Sequence, residues 1–322
     1  QYTSVRLGEF PNPNVGWEKA KKLNLGADLS FFNQLNISVD YFKENREGIF
    51  LQRKSIPMYV GLSTKPWVNI GKMRNSGIDA SLEYHQPLGK DLHLTVRGNF
   101  TYARNRIMDQ DEPDYAYTYM NRSGQMQWQK FGLVAVGLFQ DQEDIDSWTK
   151  QSFGEVKPGD IKYLDLNGDG IVDSYDTKPI GYSDIPEIVY GFGFSLQWKA
   201  FDLSAFFQGV AHVNFSTLTD QTQAFVGRNL KESSVFADLY GNTWTPENPG
   251  AKYPRMTTGA VDNNNQLSTF WMADGRYLRL KNLELGYTLP KRIANKIAMQ
   301  NLRVYLSGVN LFTFSPFKLW DP

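Results

Sequence analysis

Residues 23–31 read LNLGADLSF, and residues 35–41 read LNISVDY. Leu23, Leu25, Ala27, Leu29 and Phe31 alternate with Asn24, Gly26, Asp28 and Ser30. After a tight turn near Asn33 and Gln34, Leu35, Ile37, Val39 and Tyr41 alternate with Asn36, Ser38 and Asp40. Successive side chains of a strand point to opposite faces, so a strict two-residue period makes a hairpin with one apolar and one polar face. The figure recurs three times. Ile78, Ala80, Leu82 and Tyr84 return, through a turn at 86–90, as Leu92, Leu94, Val96, Gly98, Phe100 and Tyr102. Tyr190, Phe192, Phe194, Leu196 and Trp198 return through Lys199 and Ala200 as Phe201, Leu203, Ala205 and Phe207. Leu283, Leu285, Tyr287 and Leu289 face Leu302, Val304 and Leu306 across a longer connection, 290–301, with room for a short helix over 291–298.

The spacing between hairpins narrows the fold. Within a hairpin the connection is short; between hairpins it is long, over 44–75, 104–129, 140–188 and 210–274, with 1–22 also read as loop. Short turns at one end and long loops at the other are the pattern of an outer-membrane β-barrel, whose apolar positions face lipid and whose polar ones face the lumen. Asp28, Asp40, Asp79, Glu83, Arg97 and Glu284 would then line a wet interior. Phe31, Tyr41, Tyr84, Tyr102, Tyr190 and Trp198 sit near strand ends, where an aromatic girdle belongs. A soluble β-sandwich with its apolar faces packed together shares the alternation, but rarely needs four long loops on one side. The fold class expected is all-β: an antiparallel transmembrane β-barrel segment of about eight strands, with long extracellular loops. Loops this large suit a bigger barrel, and the chain, which opens at Gln1 without a signal peptide, reaches Pro322 without a finishing strand. The expectation is therefore a mature chain or a cut piece.

Composition agrees. Lys and Arg number 34 against 34 Asp and Glu, with no basic block, so nucleic acid is not an expected partner. There is no cysteine, hence no disulfide framework and no thiolate metal site. The longest apolar run, 131–139, is nine residues, short of the roughly 20 a spanning helix needs.

One motif stands apart from the strands. Residues 158–176 read PGDIKYLDLNGDGIVDSYD. From Asp165, oxygen-bearing side chains recur at loop positions 1, 3, 5, 9 and 12 (Asp165, Asn167, Asp169, Asp173 and Asp176). Gly170 stands at position 6, and Ile171 at position 7 can offer its carbonyl. A hard divalent cation wants six to eight oxygens, so this set is a candidate calcium loop. Asp rather than Glu at position 12 makes bidentate closure harder, and the flanks read as extended rather than helical. The acidic stretches 109–114 and 141–146 are solvated loops or further ligands of the same ion.

Catalytic constellations are missing from the sequence. His85, His93 and His212 form no zinc pair, and there is no nucleophile elbow or phosphate-binding glycine loop. Trp148, Trp244, Tyr253 and Trp271, in the long loops, suit either sugar or peptide recognition or the packing of the loops themselves.

Several ordered stretches resemble the TonB-dependent outer-membrane nutrient transporters of the starch-utilisation type (SusC/RagA-like) of Bacteroidota. They are 12–19 (NPNVGWEK), 69–78 (NIGKMRNSGI), 136–140 (VGLFQ), 158–163 (PGDIKY) with the loop 165–176, 201–209 (FDLSAFFQG), 244–249 (WTPENP), 277–283 (YLRLKNL), 286–290 (GYTLP) and 304–314 (VYLSGVNLFTF). The resemblance implies that 1–322 is part of one β-barrel domain of the 22-strand plugged type, with 140–188 an extracellular loop. The N-terminal plug, the TonB-facing segment and the closing strand are not found in this chain. It further implies a bacterial outer-membrane location, active import of oligosaccharides or peptides, a SusD-like surface lipoprotein as lid, TonB as energy source and no enzymatic activity. The alternative reading is a soluble or surface calcium-binding β-rich adhesin or sugar-binding module.

Overall fold

The computed structural model describes residues 11–62, 64–219, 235 and 237–321. Eight long strands form one antiparallel sheet in simple meander order: β1 (Lys19–Phe31), β2 (Leu35–Gln52), β3 (Trp67–Leu88), β4 (Leu92–Asp109), β5 (Ile188–Trp198), β6 (Phe201–Ala211), β7 (Tyr277–Thr288) and β8 (Arg303–Phe314). Among the described residues no helix is long and apolar enough to cross a membrane.

Register carries the apolar face across the whole sheet. Leu29, Ile37, Leu82, Gly98, Phe192, Phe207, Leu280 and Phe312 lie side by side from β1 to β8. Nearer the short turns a second row joins Leu94, Leu196, Leu203, Leu285 and Leu306, and a third joins Leu92, Trp198, Phe201, Tyr287 and Val304. A slip of one residue in any strand would turn its entire apolar set to the other face, so each strand reinforces its neighbour's register. On the opposite face His85, Thr95, Ser195, Ser204, Glu284 and Ser307 form an unbroken polar row.

Two local features keep these rows aligned. A bulge between Leu280 and Asn282 lets even-numbered Leu278 and Leu280 share a face with odd-numbered Leu283, Leu285 and Tyr287. On the polar face, a Cβ at Gly77 would lie 2.0 Å from the Tyr102 carbonyl oxygen and 2.6 Å from the Phe42 ring. Any larger residue there would press on the β4 backbone at Tyr102 and Ala103 and part the β3–β4 ladder.

The apolar band has the height of a bilayer. Ten residues separate the Leu92 row from the Tyr102 row. At about 3.3 Å per residue and a barrel tilt near 40°, this corresponds to about 25 Å, the lipid-facing band of an outer-membrane barrel. Aromatic side chains mark both edges: Trp198, Phe201 and Tyr287 in contact at the short-turn edge, and Tyr41 and Tyr102 at the other.

The strands run further than the apolar alternation foretold. β2 and β3 continue past the band to Gln52 and back from Trp67, so the connection read as 44–75 shrinks to 53–66. β1 begins at Lys19, inside the segment read as loop, and residues 1–10 lie outside the described residues. The ladder is made by backbone groups and persists where side chains become charged. The four long connections become three, because 104–129 and 140–188 belong to one connection, 110–187, whose short strands Phe131–Gly132 and Ala135–Leu138 stay out of the main sheet. The third, 212–276, lies at the same end. The 290–301 connection holds the expected helix, Lys291–Ala294, followed by a 3₁₀ turn, Asn295–Ile297.

The lipid-facing assignment makes a position-specific prediction. In the complete protein, Leu82→Arg, near the middle of the band, should destabilise the barrel by about 2–4 kcal/mol. Ser81→Arg, one residue away but among Ser38 and Asn99 on the polar face, should cost far less. Urea unfolding in lipid vesicles measures both; equal costs would contradict the assignment.

Candidate functional site

The well-buried apolar core of the described residues is in the long connections, beyond the sheet's end. Leu133, Leu138, Ile161, Tyr163 and Val172 from 110–187 pack against Leu239, Trp244, Tyr253 and Trp271 from 212–276. The nine-residue apolar run 131–139 thus supplies this cap rather than a barrel strand. Trp244, Tyr253 and Trp271 are buried in it, and Trp148 donates to the Tyr163 carbonyl at 2.9 Å. Of the two readings for these aromatics, loop packing is the one observed.

A buried polar clamp fastens the two connections together. The Asp160 carboxylate accepts from Arg255 Nε at 2.8 Å and Nη2 at 3.2 Å, from Asn264 Nδ2 at 2.8 Å and from the Lys157 amide at 2.8 Å. Asn264 Oδ1 accepts from the Ile161 amide at 2.8 Å, and Asn263 Nδ2 donates to the Ile161 carbonyl at 2.8 Å. Gln151 donates to Asn263 Oδ1 at 2.8 Å and accepts the Tyr163 amide at 2.6 Å. Side-chain amides here substitute for a sheet neighbour along Ile161–Tyr163, because buried backbone groups need partners. A second staple joins 53–55 to 110–187. Asp111 accepts from Arg53 Nε at 3.1 Å, from the Lys54 and Ser55 amides at 2.7 and 3.1 Å, and from the Ser55 hydroxyl at 2.8 Å. Burial pushes the Asp111 carboxyl up, but the Ser55 amide and hydroxyl, Arg53 and the Lys54 amide outweigh it and hold it at about 2.

The candidate calcium loop leaves the clamp directly after Tyr163. Its backbone turns as a cation loop requires, with Gly168 and Gly170 at φ +74° and +89°. Asp165 accepts the Gly168 and Gly170 amides at 2.7 and 2.9 Å, Asn167 the Asp169 amide at 3.0 Å, and Asp169 the Ile171 amide at 2.9 Å. Asp173 caps the 3₁₀ turn Ser174–Asp176 by accepting from the Tyr175 amide at 2.7 Å. Asp176 is fully buried and accepts the amides of Leu166 at 2.6 Å and Asp173 at 2.8 Å. Tyr117, Tyr119 and Tyr175 stand against the loop, with Asn167 Nδ2 3.2 Å from the Tyr117 hydroxyl. Burial, then the negative field of Asp176, Asp169 and Asp165 together with Tyr117, pushes the Tyr119 hydroxyl above its usual range.

By donor type the loop offers Asp165, Asn167, Asp169, the Ile171 carbonyl, Asp173 and Asp176 as candidate ligands for a hard cation. Among the described residues, however, no three His, Asp or Glu side chains converge as a metal-binding group. The acidic stretches do not join the loop. Asp111 is held by 53–55, Asp141 caps the helix Gln142–Ser147, and Asp144 pairs with Lys162. His85 contacts Thr95 and Glu83, His93 lies opposite Gln197 on another row, and His212 stacks on Tyr182 beside Glu187.

A hollow lies where the polar face of β1–β4 meets the 110–187 connection. A pocket of about 540 Å³ is lined by Glu18, Glu44, Arg46, Asn75, Asn105 and Gln127, among others. Arg46 is clamped between Glu18 at 2.6 Å and Glu44 at 2.7 Å. Charged forks and amides of this kind can hydrogen-bond polar, flexible solutes through both donors and acceptors.

A family profile described as TonB dependent receptor-like, beta-barrel, matches residues 2–311. A TonB-dependent receptor of Formosa agariphila is 30% identical over 338 residues, covering 100% of this chain and 32% of that protein. The TonB-dependent receptor SusC of Bacteroides thetaiotaomicron is 25% identical over 339 residues, covering 100% of the chain and 31% of SusC. A solved structure of the RagAB peptide importer in its open-open state superposes with a TM-score of 0.71 at 23% identity, over 98% of this chain and 34% of that one. The chain thus spans about a third of the length of these relatives, and the structural likeness establishes the barrel fold.

Two variants test the cap. Asp160→Ala strips the largely buried Arg255 of its partner and empties the clamp, and should loosen the cap by about 2–3 kcal/mol; hydrogen exchange of the Ile161 and Tyr163 amides measures this, and unchanged exchange would contradict it. The Asp111 staple works with the carboxylate ionised. It should be intact above the ordinary value of 3.8 and be lost as pH falls through about 2. Proteolysis of 53–66 across that range should accelerate in the wild type, whereas Asp111→Asn should be fast already at neutral pH.

Proposed function

We propose, because this chain belongs to the TonB dependent receptor-like β-barrel family, that it forms part of the wall and extracellular cap of an outer-membrane importer energised through TonB. The short turns face the periplasm and the capped end faces outward. The observation that carries this reading is the continuous apolar row structure over about 25 Å, backed by the polar row from His85 to Ser307 on the other face. The likeness to SusC and to the RagAB peptide importer supports oligosaccharides or peptides as cargo and a SusD-like lipoprotein as the lid over the cap. The polar lining of the concave pocket suits either cargo. The family likeness supports a transporter rather than an enzyme.

The loop at 165–176 would hold calcium through Asp165, Asn167, Asp169, the Ile171 carbonyl, Asp173 and Asp176. A bound ion would offset the mutual repulsion of four carboxylates and stiffen the loop beside Tyr117 and Tyr175. The ion's part is structural: it fixes the outer surface that meets lid or cargo.

Import is tested by deleting the gene. The deletion strain should lose growth on oligosaccharide or peptide pools as sole carbon source, and a strain lacking TonB should share the defect. Undiminished growth on every such pool would overturn the reading. The calcium loop is tested separately by terbium luminescence sensitised by the adjacent tyrosines. Wild-type protein should show one site displaced by calcium, and Asp165→Ala with Asp169→Ala should lose it. A signal unchanged by the double substitution would place the ion elsewhere.

A further inference from the structure

We infer that the outward face of β1–β4, just above the apolar band, is a binding surface for the phosphorylated headgroups of outer-leaflet lipid. The inference rests on the membrane orientation proposed above. The outward-facing positions of these strands are the continuations of the apolar rows: odd numbers on β1 and β2, even numbers on β3 and on β4 up to Arg106, beyond which a register shift pairs Asp109 with Lys72. Beyond Leu25, Tyr41, Ile78 and Tyr102 the same face turns cationic. Lys43 comes first, opposite Leu23 and Ser76. Next is the row of Lys21, Asn45, Arg74 and Arg106, and then that of Lys19, Glu47, Lys72 and Asp109. Six cations therefore share the surface with two carboxylates, although the whole chain is balanced at 34 against 34. Arg104, also in this region, is already neutralised by Glu187 at 2.6 and 2.7 Å.

Arg74 and Arg106 are the informative pair. They lie directly opposite each other in the β3–β4 ladder, where like charges destabilise a sheet. Their hydrogen bonds go to neutral groups: Arg74 Nε to Asn45 Oδ1 at 3.0 Å, and Arg106 Nη1 to the Gly124 carbonyl at 2.5 Å. Both are exposed, with Lys72 exposed beside them. Two guanidinium groups on facing strands, each with N–H groups to spare, make a fork for a doubly or singly charged phosphate bridging them.

Height and continuity select the occupant. The cationic rows begin two residues above the Tyr102 row and end six or seven above it, about 5 to 15 Å further along the membrane normal after tilt. That is the headgroup zone, contiguous with a face that lipid chains already cover. A lumenal segment cannot reach it, since Lys22, Glu44 and Arg46 lie on the other side of the same strands. Basic residues clustered at the membrane surface attract anionic headgroups, and the attraction fades with salt.

The test uses the complete transporter in lipid nanodiscs or mild detergent and two probes, bisphosphorylated lipid A and its dephosphorylated form, with occupancy read by native mass spectrometry. Wild-type protein should bind the phosphorylated probe at least tenfold better than the dephosphorylated one, and the preference should fall at high salt. The combination Lys72→Gln, Arg74→Gln and Arg106→Gln should abolish the preference. The lumenal pair Lys22→Gln and Arg97→Gln should leave it intact, and Arg74→Lys with Arg106→Lys, which retains charge, should keep most of it and guards against misfolding of the triple variant. Equal binding of both probes, an unchanged preference in the triple variant, or an acidic protein held there in place of lipid would each overturn the inference. Recovery of the wild-type protein outside the outer-membrane fraction would instead remove the orientation on which it rests.

Discussion

Every strand in this chain is committed to one side by its neighbours. Backbone groups in hydrocarbon have no water to bond, so each must be satisfied by an adjacent strand, and a side-chain period of two then fixes which residues meet lipid. From Leu29 to Phe312 a single row crosses eight strands, and no strand could slip without placing Asp, Ser or Arg in the band. Charged positions such as Asp28, Glu83, Arg97 and Glu284 are confined to the opposite face for the same reason. The wet wall is therefore a consequence of the greasy one.

The cap obeys a different constraint. Above the bilayer the chain is back in water, and its long connections must find a core of their own. They do so by combining 131–139 with Trp244, Tyr253 and Trp271, and by letting Asn263, Asn264 and Gln151 stand in for missing sheet neighbours. The Asp160–Arg255 pair joins segments 95 residues apart, and Asp111 ties in the 53–66 connection. These fixed contacts hold the 165–176 loop and its tyrosines at the outer surface, beyond the polar wall.

Much of this was legible in the sequence. The four hairpins, their turn ends and the phase of the apolar positions on β1 to β6 follow from alternation alone, as does the short helix after Pro290, whereas the bulge that brings Leu278 and Leu280 onto the apolar face of β7 does not. The lengths of β2, β3 and β4 were hidden, because alternation of hydrophobicity ends where lipid ends while the hydrogen-bond ladder does not. The fate of 131–139 was hidden too: a short apolar run reads equally as strand or core, and only its partners, a hundred residues away, decide. Nothing local in Asp262 to Asn265 marks Asn263 and Asn264 as buried clamps, since Asn-rich runs ordinarily signal exposed turns. The glycine spacing of the candidate cation loop was visible, whereas the extensive hydrogen bonding of its carboxylates to backbone amides was not.

The central claim, that even-numbered residues of β5 face lipid and odd-numbered ones face water, is open to one direct measurement. This chain contains no cysteine, so nitroxide labels can be placed singly from 189 to 197 in the complete protein embedded in bilayers. Accessibility to oxygen should peak at 190, 192, 194 and 196, and accessibility to a water-soluble nickel chelate at 191, 193 and 195, in strict alternation. Opposite phase, or equal access to both quenchers along the strand, would contradict the account.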